Sequence, residues 1–388
     1  MMITDFATHN EEVRRLWEAF DAGRPYRVPV VFNFSRRFWL LTPELNTEGY
    51  SFRDYFEDPD IMMKVQLESA KWIRLNVPQD QEMGLPEESW GGIHVDFQNS
   101  YEAAWFGCKI VYPEGEVPDT VPLLRDDKKG LFKLEIPDPL KGNLMGRVYE
   151  YYHYFEEKRK DFEFEGKPVG RTGVPTGTDG PFTAACNLRG ATEVCIDIYE
   201  DPEYVHALME FVTEGIIARI KAWMDFMGIE YPTQSWGFAD DSIQLLSEDT
   251  YKEFVLPYHR RLIETFSLGG PNSIHLCGRA SHHFKTLMKE LNIKSFDTGF
   301  PTDLGAMRKE LGPDVLLRGN IHPELLRLGP PETIREAVRK LLDSGVMEGG
   351  KFILCEGNNV APRTPVANFA AMYEAGKEYG RYPEGASV

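Results

Sequence analysis

From residue 167 onward the chain repeats one pattern, a short apolar run followed by a longer amphipathic stretch. The runs are KPVGRTGV (167–174), PTQSWGFAD (232–240), SIHLCG (273–278), IKSFDTG (293–299), VLLRGNI (315–321) and KFILCEG (351–357). This is the rhythm of parallel strands joined by helical crossovers. VPVVFNF (28–34) adds one strand, and another lies within 93–112, in IHVDFQ or CKIVY. Eight strands alternating with helices predict a (β/α)8 TIM barrel. A doubly wound open sheet is the alternative. Against it, no G-x-G-x-x-G follows the first strand and no G-x-x-x-x-G-K-[ST] occurs.

The helices carry start and stop signals. Asp201-Pro202 opens one, with Asp as N-cap and Pro at the first helical position. Val205, Leu208, Met209, Val212 and Ile216 then share a face. Pro330-Pro331 precede a helix stopped at Gly345, and Thr364-Pro365 open a last one carrying Phe369, Met372 and Tyr373. The rhythm is poor between about 40 and 165, where YPEGEVPDTVPLLRDDKKG (112–130) is rich in Pro and charge. We expect irregular insertions there, over the C-terminal mouth of the barrel, and a single domain over 1–388.

Composition excludes several functions. A net charge of −18 with no basic stripe argues against nucleic acid. The doublets Arg36-Arg37, Lys128-Lys129 and Arg260-Arg261 read as solvated faces. No apolar run reaches the ~18 residues of a membrane span. The N-terminal stretch MMITDFATHNEEVRRLWEAF lacks a signal peptide's apolar region. Five cysteines, an odd number, speak against a disulfide framework and for a reduced, cytoplasmic setting.

Polar groups gather at strand ends. His275 and Cys277 are two apart, so on a strand they face the same side. They sit near its C-terminal end, where barrels carry active sites. Cys355 ends the eighth strand on the same mouth. One His and two Cys form a set suited to zinc, with a fourth position open. Spacing alone leaves a zinc site and a buried polar pair both possible. Asp240 and Asp241 follow the Trp236 strand, Asp297 ends IKSFD, Asn320 ends LLRGN and Glu356 follows Cys355. An acid at a strand end serves as general base, extra ligand or loop cap, and several on one face point to a site. Asp240, Asp241 and Glu356 are the candidates for catalysis or a fourth ligand, and Asp297 and Asn320 for positioning. Phe34 and Trp39, with Trp90 and His94, belong either to the core or to an aromatic wall that fixes a planar substrate.

At these residues the chain resembles the uroporphyrinogen decarboxylase superfamily. The supporting stretches are TDGPFTAACNLRGATEVCIDIYEDPEYVHALMEFV (178–212), LLSEDTYKEFVLPYHRRLIE (245–264), IHLCGR (274–279), FDTGFPTDLGAMRKELGPDVLLRGNIHPELL (296–326) and ILCEGNNVAPRTPVANFAAMYEAGKEYG (353–380). The likeness covers about 165–380 well and the N-terminal part loosely. It implies a (β/α)8 barrel, in agreement with the strand count.

The superfamily forks. Its decarboxylases carry Arg-Gln-Ala-Gly-Arg after the first strand, where this chain has Asn33-Phe34-Ser35-Arg36-Arg37. Its zinc-dependent corrinoid methyltransferases carry His-x-Cys and, much later, Cys, which His275, Cys277 and Cys355 match. The resemblance therefore implies zinc on those three residues. It also implies a corrinoid (cobalamin) carried by a partner protein, because no Asp-x-His-x-x-Gly motif occurs in this chain. That partner would dock at the barrel mouth. The aromatic-rich N-terminal half favours the O-demethylase type, moving methyl from a methoxylated aromatic to a cobalt(I) corrinoid. The alternatives are a methylcobamide:thiol (coenzyme M) methyltransferase, a decarboxylase and a non-catalytic tetrapyrrole-binding barrel.

Overall fold

The computed structural model describes residue 3 and residues 5–383. Five of the apolar runs form one parallel sheet, in the order Phe352–Glu356, Leu316–Ile321, Ile293–Thr298, Asn272–Leu276, Gly237–Ala239. Hydrogen bonds extend it at both edges. The Val31 N–H donates to Leu354 O at 3.0 Å and the Leu354 N–H to Pro29 O at 2.9 Å, so residues 28–32 run beside the last strand. At the other edge the Ala239 N–H donates to Thr178 O at 3.3 Å. This brings in Thr172–Gly173, which pairs in parallel with Ile93–His94. The expected (β/α)8 TIM barrel is present, with IHVDFQ supplying the strand left open between two runs. The other run, Lys109–Val111, forms a small antiparallel hairpin with Asp119–Val121. Between the first two strand positions lie residues 77–80, where the Asp80 N–H donates to Val30 O at 2.7 Å and Gln79 Oε1 accepts from Phe32 N–H at 3.0 Å.

Strand alternation explains which side chains reach the lumen. On Asn272–Leu276, Ile274 and Leu276 are buried in the main core, and His275 takes the opposite face. Leu317 likewise joins the core while Arg318 faces inward toward Asp297.

The helix Pro202–Met227 starts where Asp201 accepts from the Tyr204 N–H. Its five expected apolar residues are all fully buried, each stabilising the fold by about 1.5–3 kcal/mol relative to exposure. Gly228, at φ 66°, ends it in the left-handed conformation that glycine adopts without a Cβ penalty.

The region 40–165 departs from expectation, because much of it is helical. Asp58 caps Pro59–Asn76, the same Asp-Pro start as at 201–202, and Met62, Met63, Val65 and Leu67 bury its inner face. Asn143–Lys158 buries Leu144, Met145, Val148 and Phe155. These two periodic segments flank the Pro- and charge-rich stretch at 112–130. Among the described residues, no helix is long and apolar enough to cross a membrane.

Candidate metal centre and mouth cavity

Parallel strands in register deliver the site. His275 pairs with Ala239 on one side and Asp297 on the other. Cys277 follows on the same strand end, and Asp241 follows Ala239. Ligand atoms of Asp241, His275 and Cys277 all lie within 4.8 Å of one another. His275 Nε2 is 3.1 Å from Cys277 Sγ, and the Cys277 N–H donates to Asp241 Oδ1 at 2.5 Å. Nitrogen and sulfur ligands on tetrahedral zinc stand about 3.6 Å apart, so a small opening of this pair would admit the ion. His275 Nδ1 meets Asp297 Oδ2 at 2.9 Å. That contact leaves Nε2 for the metal, the arrangement in which a carboxylate orients a histidine ligand. Without metal, burial opposes charge on His275, but Asp297 and Cys277 outweigh it and raise its pKa to about 11. Burial, with Asp241 adding and His275 opposing, raises the Cys277 thiol above its ordinary value, so a metal ion binding there displaces the thiol proton.

Cys355 does not join this group. It is fully buried with Val31 and Ile353 in a small second cluster, packed by Trp17 and Phe20. Burial pushes its thiol well up, with Glu356 and Asp297 adding and Arg318 opposing. The Arg318 guanidinium donates to Asn33 Oδ1 and lies 4.0 Å from Asp297 Oδ1. A chain of polar contacts thus runs from Cys277 through His275, Asp297 and Arg318 toward Cys355. Arg318 was missed in the sequence, although inside/outside alternation in VLLRGNI places it in the lumen.

The other expected residues divide. Glu356 is fully buried; its Oε1 accepts from the Asn33 N–H at 3.0 Å, and Oε2 has no partner. Burial raises its pKa to about 8. Asp240, a candidate for catalysis or a fourth ligand, has its carboxylate engaged by the fold. It is fully buried and accepts from the Phe182 N–H, the Thr183 N–H and hydroxyl, and meets His259 Nε2 at 2.8 Å. Those partners occupy the carboxylate that a substrate would need. Asn320 also serves the fold: its amide donates to Thr302 O at 2.6 Å and Gly299 O at 3.3 Å, bracing the loop after Thr298.

A cavity of about 410 Å3 is lined by Phe34, Arg36, Arg37, His94, Asp96 and Tyr101 among others. Phe34 and His94 thus line this cavity together. Trp39 does not: it lines a separate pocket with Leu45 and Tyr50. Trp90 is core, 3% exposed, with its indole N–H donating to Phe164 O at 2.7 Å. The Arg36-Arg37 doublet, expected on a solvated face, is half-buried in this cavity instead. Asp179, not singled out in the sequence, follows Thr178 at the mouth. Burial, with Glu102 and Asp241 adding, pushes its carboxyl well above the usual range.

Comparison with known proteins adds independent findings. The uroporphyrinogen decarboxylase (URO-D) family model matches residues 94–379. A methylated-thiol–coenzyme M methyltransferase of Methanosarcina mazei is 27% identical over 286 residues, 73% of this chain and 71% of its own. The methylcobamide:CoM methyltransferase MtbA of Methanosarcina acetivorans is 24% identical over 299 residues, 74% of this chain and 79% of its own. A uroporphyrinogen decarboxylase of Myxococcus xanthus is 30% identical over 256 residues, 64% and 67% of the two chains. A solved methyltransferase from Methanosarcina mazei superposes with a TM-score of 0.64 at 18% identity, covering 95% of this chain and 98% of that one. At that identity it shows a shared fold.

Proposed function

The chain belongs to the uroporphyrinogen decarboxylase family, and on that premise we propose that it is a zinc-dependent methyltransferase of a corrinoid system. The observation that carries this reading is the Asp241–His275–Cys277 group at the barrel mouth. Its N, S and O donors fit zinc and leave a position for substrate. The named methyltransferases among its relatives support the reading. The corrinoid would come on a partner protein that docks over the mouth.

Bound there, zinc supplies Lewis acidity to the atom that loses or receives the methyl group. His275 and Cys277 would hold it, with Cys355 as third protein ligand if its thiol turns toward the group, and Asp241 as a resting fourth ligand that substrate would displace. Asp297 fixes the His275 ring. We place a methoxylated aromatic in the cavity, its ring against Phe34 and Tyr101 and beside His94. When its methyl carbon leaves, the oxygen keeps the bonding pair and takes a proton. Asp179 holds a proton at its carboxyl in the mouth and is the candidate donor.

The test supplies zinc-loaded protein with a cobalt(I) corrinoid protein and 2-methoxyphenol. Appearance of the methylated-corrinoid absorption is expected. No such band, together with methyl transfer from methylcobalamin to coenzyme M, overturns the donor assignment. It would favour the second reading, a methylcobamide:thiol methyltransferase, which the names of the two relatives support. A decarboxylase would release carbon dioxide from uroporphyrinogen instead, and the missing Arg-Gln-Ala-Gly-Arg segment argues against it.

A further inference from the structure

We propose that Asn320 is a positioning residue of the metal centre, acting through the loop 299–302, which spaces the Cys277 turn from the strand end that carries Cys355; this rests on the zinc reading of the Asp241–His275–Cys277 group. Asn320 stands directly in register with Cys355 on the neighbouring strand. Its buried side-chain amide donates to Thr302 O at 2.6 Å and Gly299 O at 3.3 Å, the two ends of the loop. One residue is thus tied to both cysteine-bearing strand ends, to one by strand pairing and to the other through the loop.

The loop touches both ends without slack. At its start the Gly299 N–H donates to Leu276 O at 3.0 Å, next to Cys277. A Cβ on Gly299 would lie 2.9 Å from Gly278 N and 3.0 Å from the Cys277 Cα. On the other side, a Cβ on Gly357 would lie 2.8 Å from Phe300 N and 3.4 Å from the Gly299 carbonyl carbon. Packed carbon atoms prefer about 3.5–4.0 Å, so only glycine lets these backbones approach so closely. The crowded atoms belong to the main chain, which cannot turn aside as a side chain can. The Gly357 N–H also donates to Ile321 O at 2.8 Å, which fixes that end against the Asn320 strand.

Removing the Asn320 amide takes a buried donor from two carbonyls and frees the loop to shift against Cys277. A metal centre is sensitive to such a shift, because its ligand atoms must be held within about 0.5 Å of their working positions. Asn368 offers a matched control. It is also buried, and its amide donates to two carbonyls, Leu326 O at 2.8 Å and Gly329 O at 3.0 Å. Those carbonyls belong to the helix Pro323–Leu328 and its C-cap, not to a loop packed on a ligand. The same chemistry thus occurs once against the Cys277 turn and once away from it.

The test uses the full chain with zinc or cobalt(II). Zinc affinity is read by competition with a chromophoric chelator, ligand geometry by the cobalt(II) ligand-field bands, and stability by denaturant unfolding. Asn320→Ala should weaken zinc binding about tenfold or more and shift the cobalt bands. Asn368→Ala should lose comparable stability and keep both metal readouts at wild-type values. Gly299→Ala keeps the Asn320 amide but presses on Cys277, and it should also weaken zinc binding and shift the bands. Wild-type affinity and spectrum in Asn320→Ala overturn the proposal. Equal weakening in Asn368→Ala overturns it too, because the loss is then a general effect of stability. Wild-type readouts in Gly299→Ala overturn it even where Asn320→Ala does not fold. A wild-type chain that takes up neither metal overturns the zinc reading itself, and this inference with it.

Discussion

Asp297 Oδ2 meets His275 Nδ1 at 2.9 Å across two adjacent parallel strands, where the residues are directly in register. The strand pairing itself therefore aims the histidine. Asp297→Ala removes that aim and leaves the other donors in place. Zinc affinity or methyl-transfer activity should fall about 10–100-fold, with stoichiometry restored at saturating zinc. Unchanged affinity and activity would remove Asp297 from the site.

Cys355 lies inside the barrel and outside the Asp241–His275–Cys277 group. If it swings in to complete the centre, cobalt(II)-substituted protein will carry two thiolate ligands. Cys355→Ser should then lower the thiolate-to-metal charge-transfer absorption by about half, and Cys277→Ser should lower it similarly. A spectrum unaltered by Cys355→Ser would leave Cys277 as the single thiolate.

Arg219 and Glu102 are buried together, and they brace the loop that carries Asp179. Arg219 donates to Pro175 O and Gly177 O, while Glu102 accepts from the Thr178 hydroxyl and the Asp179 N–H. Arg219→Leu leaves Glu102 buried without its counter-ion. Denaturant unfolding should show a loss of about 3–5 kcal/mol. Arg219→Leu with Glu102→Gln should recover part of it, because the lone charge is then gone.

His283 is fully buried, with Nε2 on Ile243 O at 2.9 Å. Burial and neighbouring His282 lower its pKa to about 4, below the ~6.5 of an unfolded chain. Between those values the unfolded chain binds a proton that the folded chain refuses. Stability should therefore fall as pH drops from about 6.5 toward 4. His283→Gln should flatten the slope by about one proton, ~1.4 kcal/mol per pH unit. An identical slope in the variant would assign the effect to other groups.

Much of this molecule was legible in its chain. Apolar runs separated by capped amphipathic segments specify strands and helices, because burial and backbone hydrogen bonding act locally along the sequence. The period of two placed His275 and Cys277 on one face of a strand. What stayed hidden depended on where side chains end after packing. Asp240 and Asp241 are neighbours in sequence, yet one is saturated by Phe182, Thr183 and His259 while the other faces the metal group. Trp39 and Trp90 look like Phe34 on paper, but only Phe34 lines the mouth cavity. Arg36-Arg37 looked like a surface doublet, and the turn after residues 28–32 folds it into that cavity without a counter-ion. Pairing of a charge is a property of three-dimensional neighbours. The sequence by itself determined a barrel with a His-x-Cys strand end. Only the tertiary structure decided which carboxylates are spent on the fold and which are left facing the barrel mouth, because that depends on neighbours brought together from distant parts of the chain.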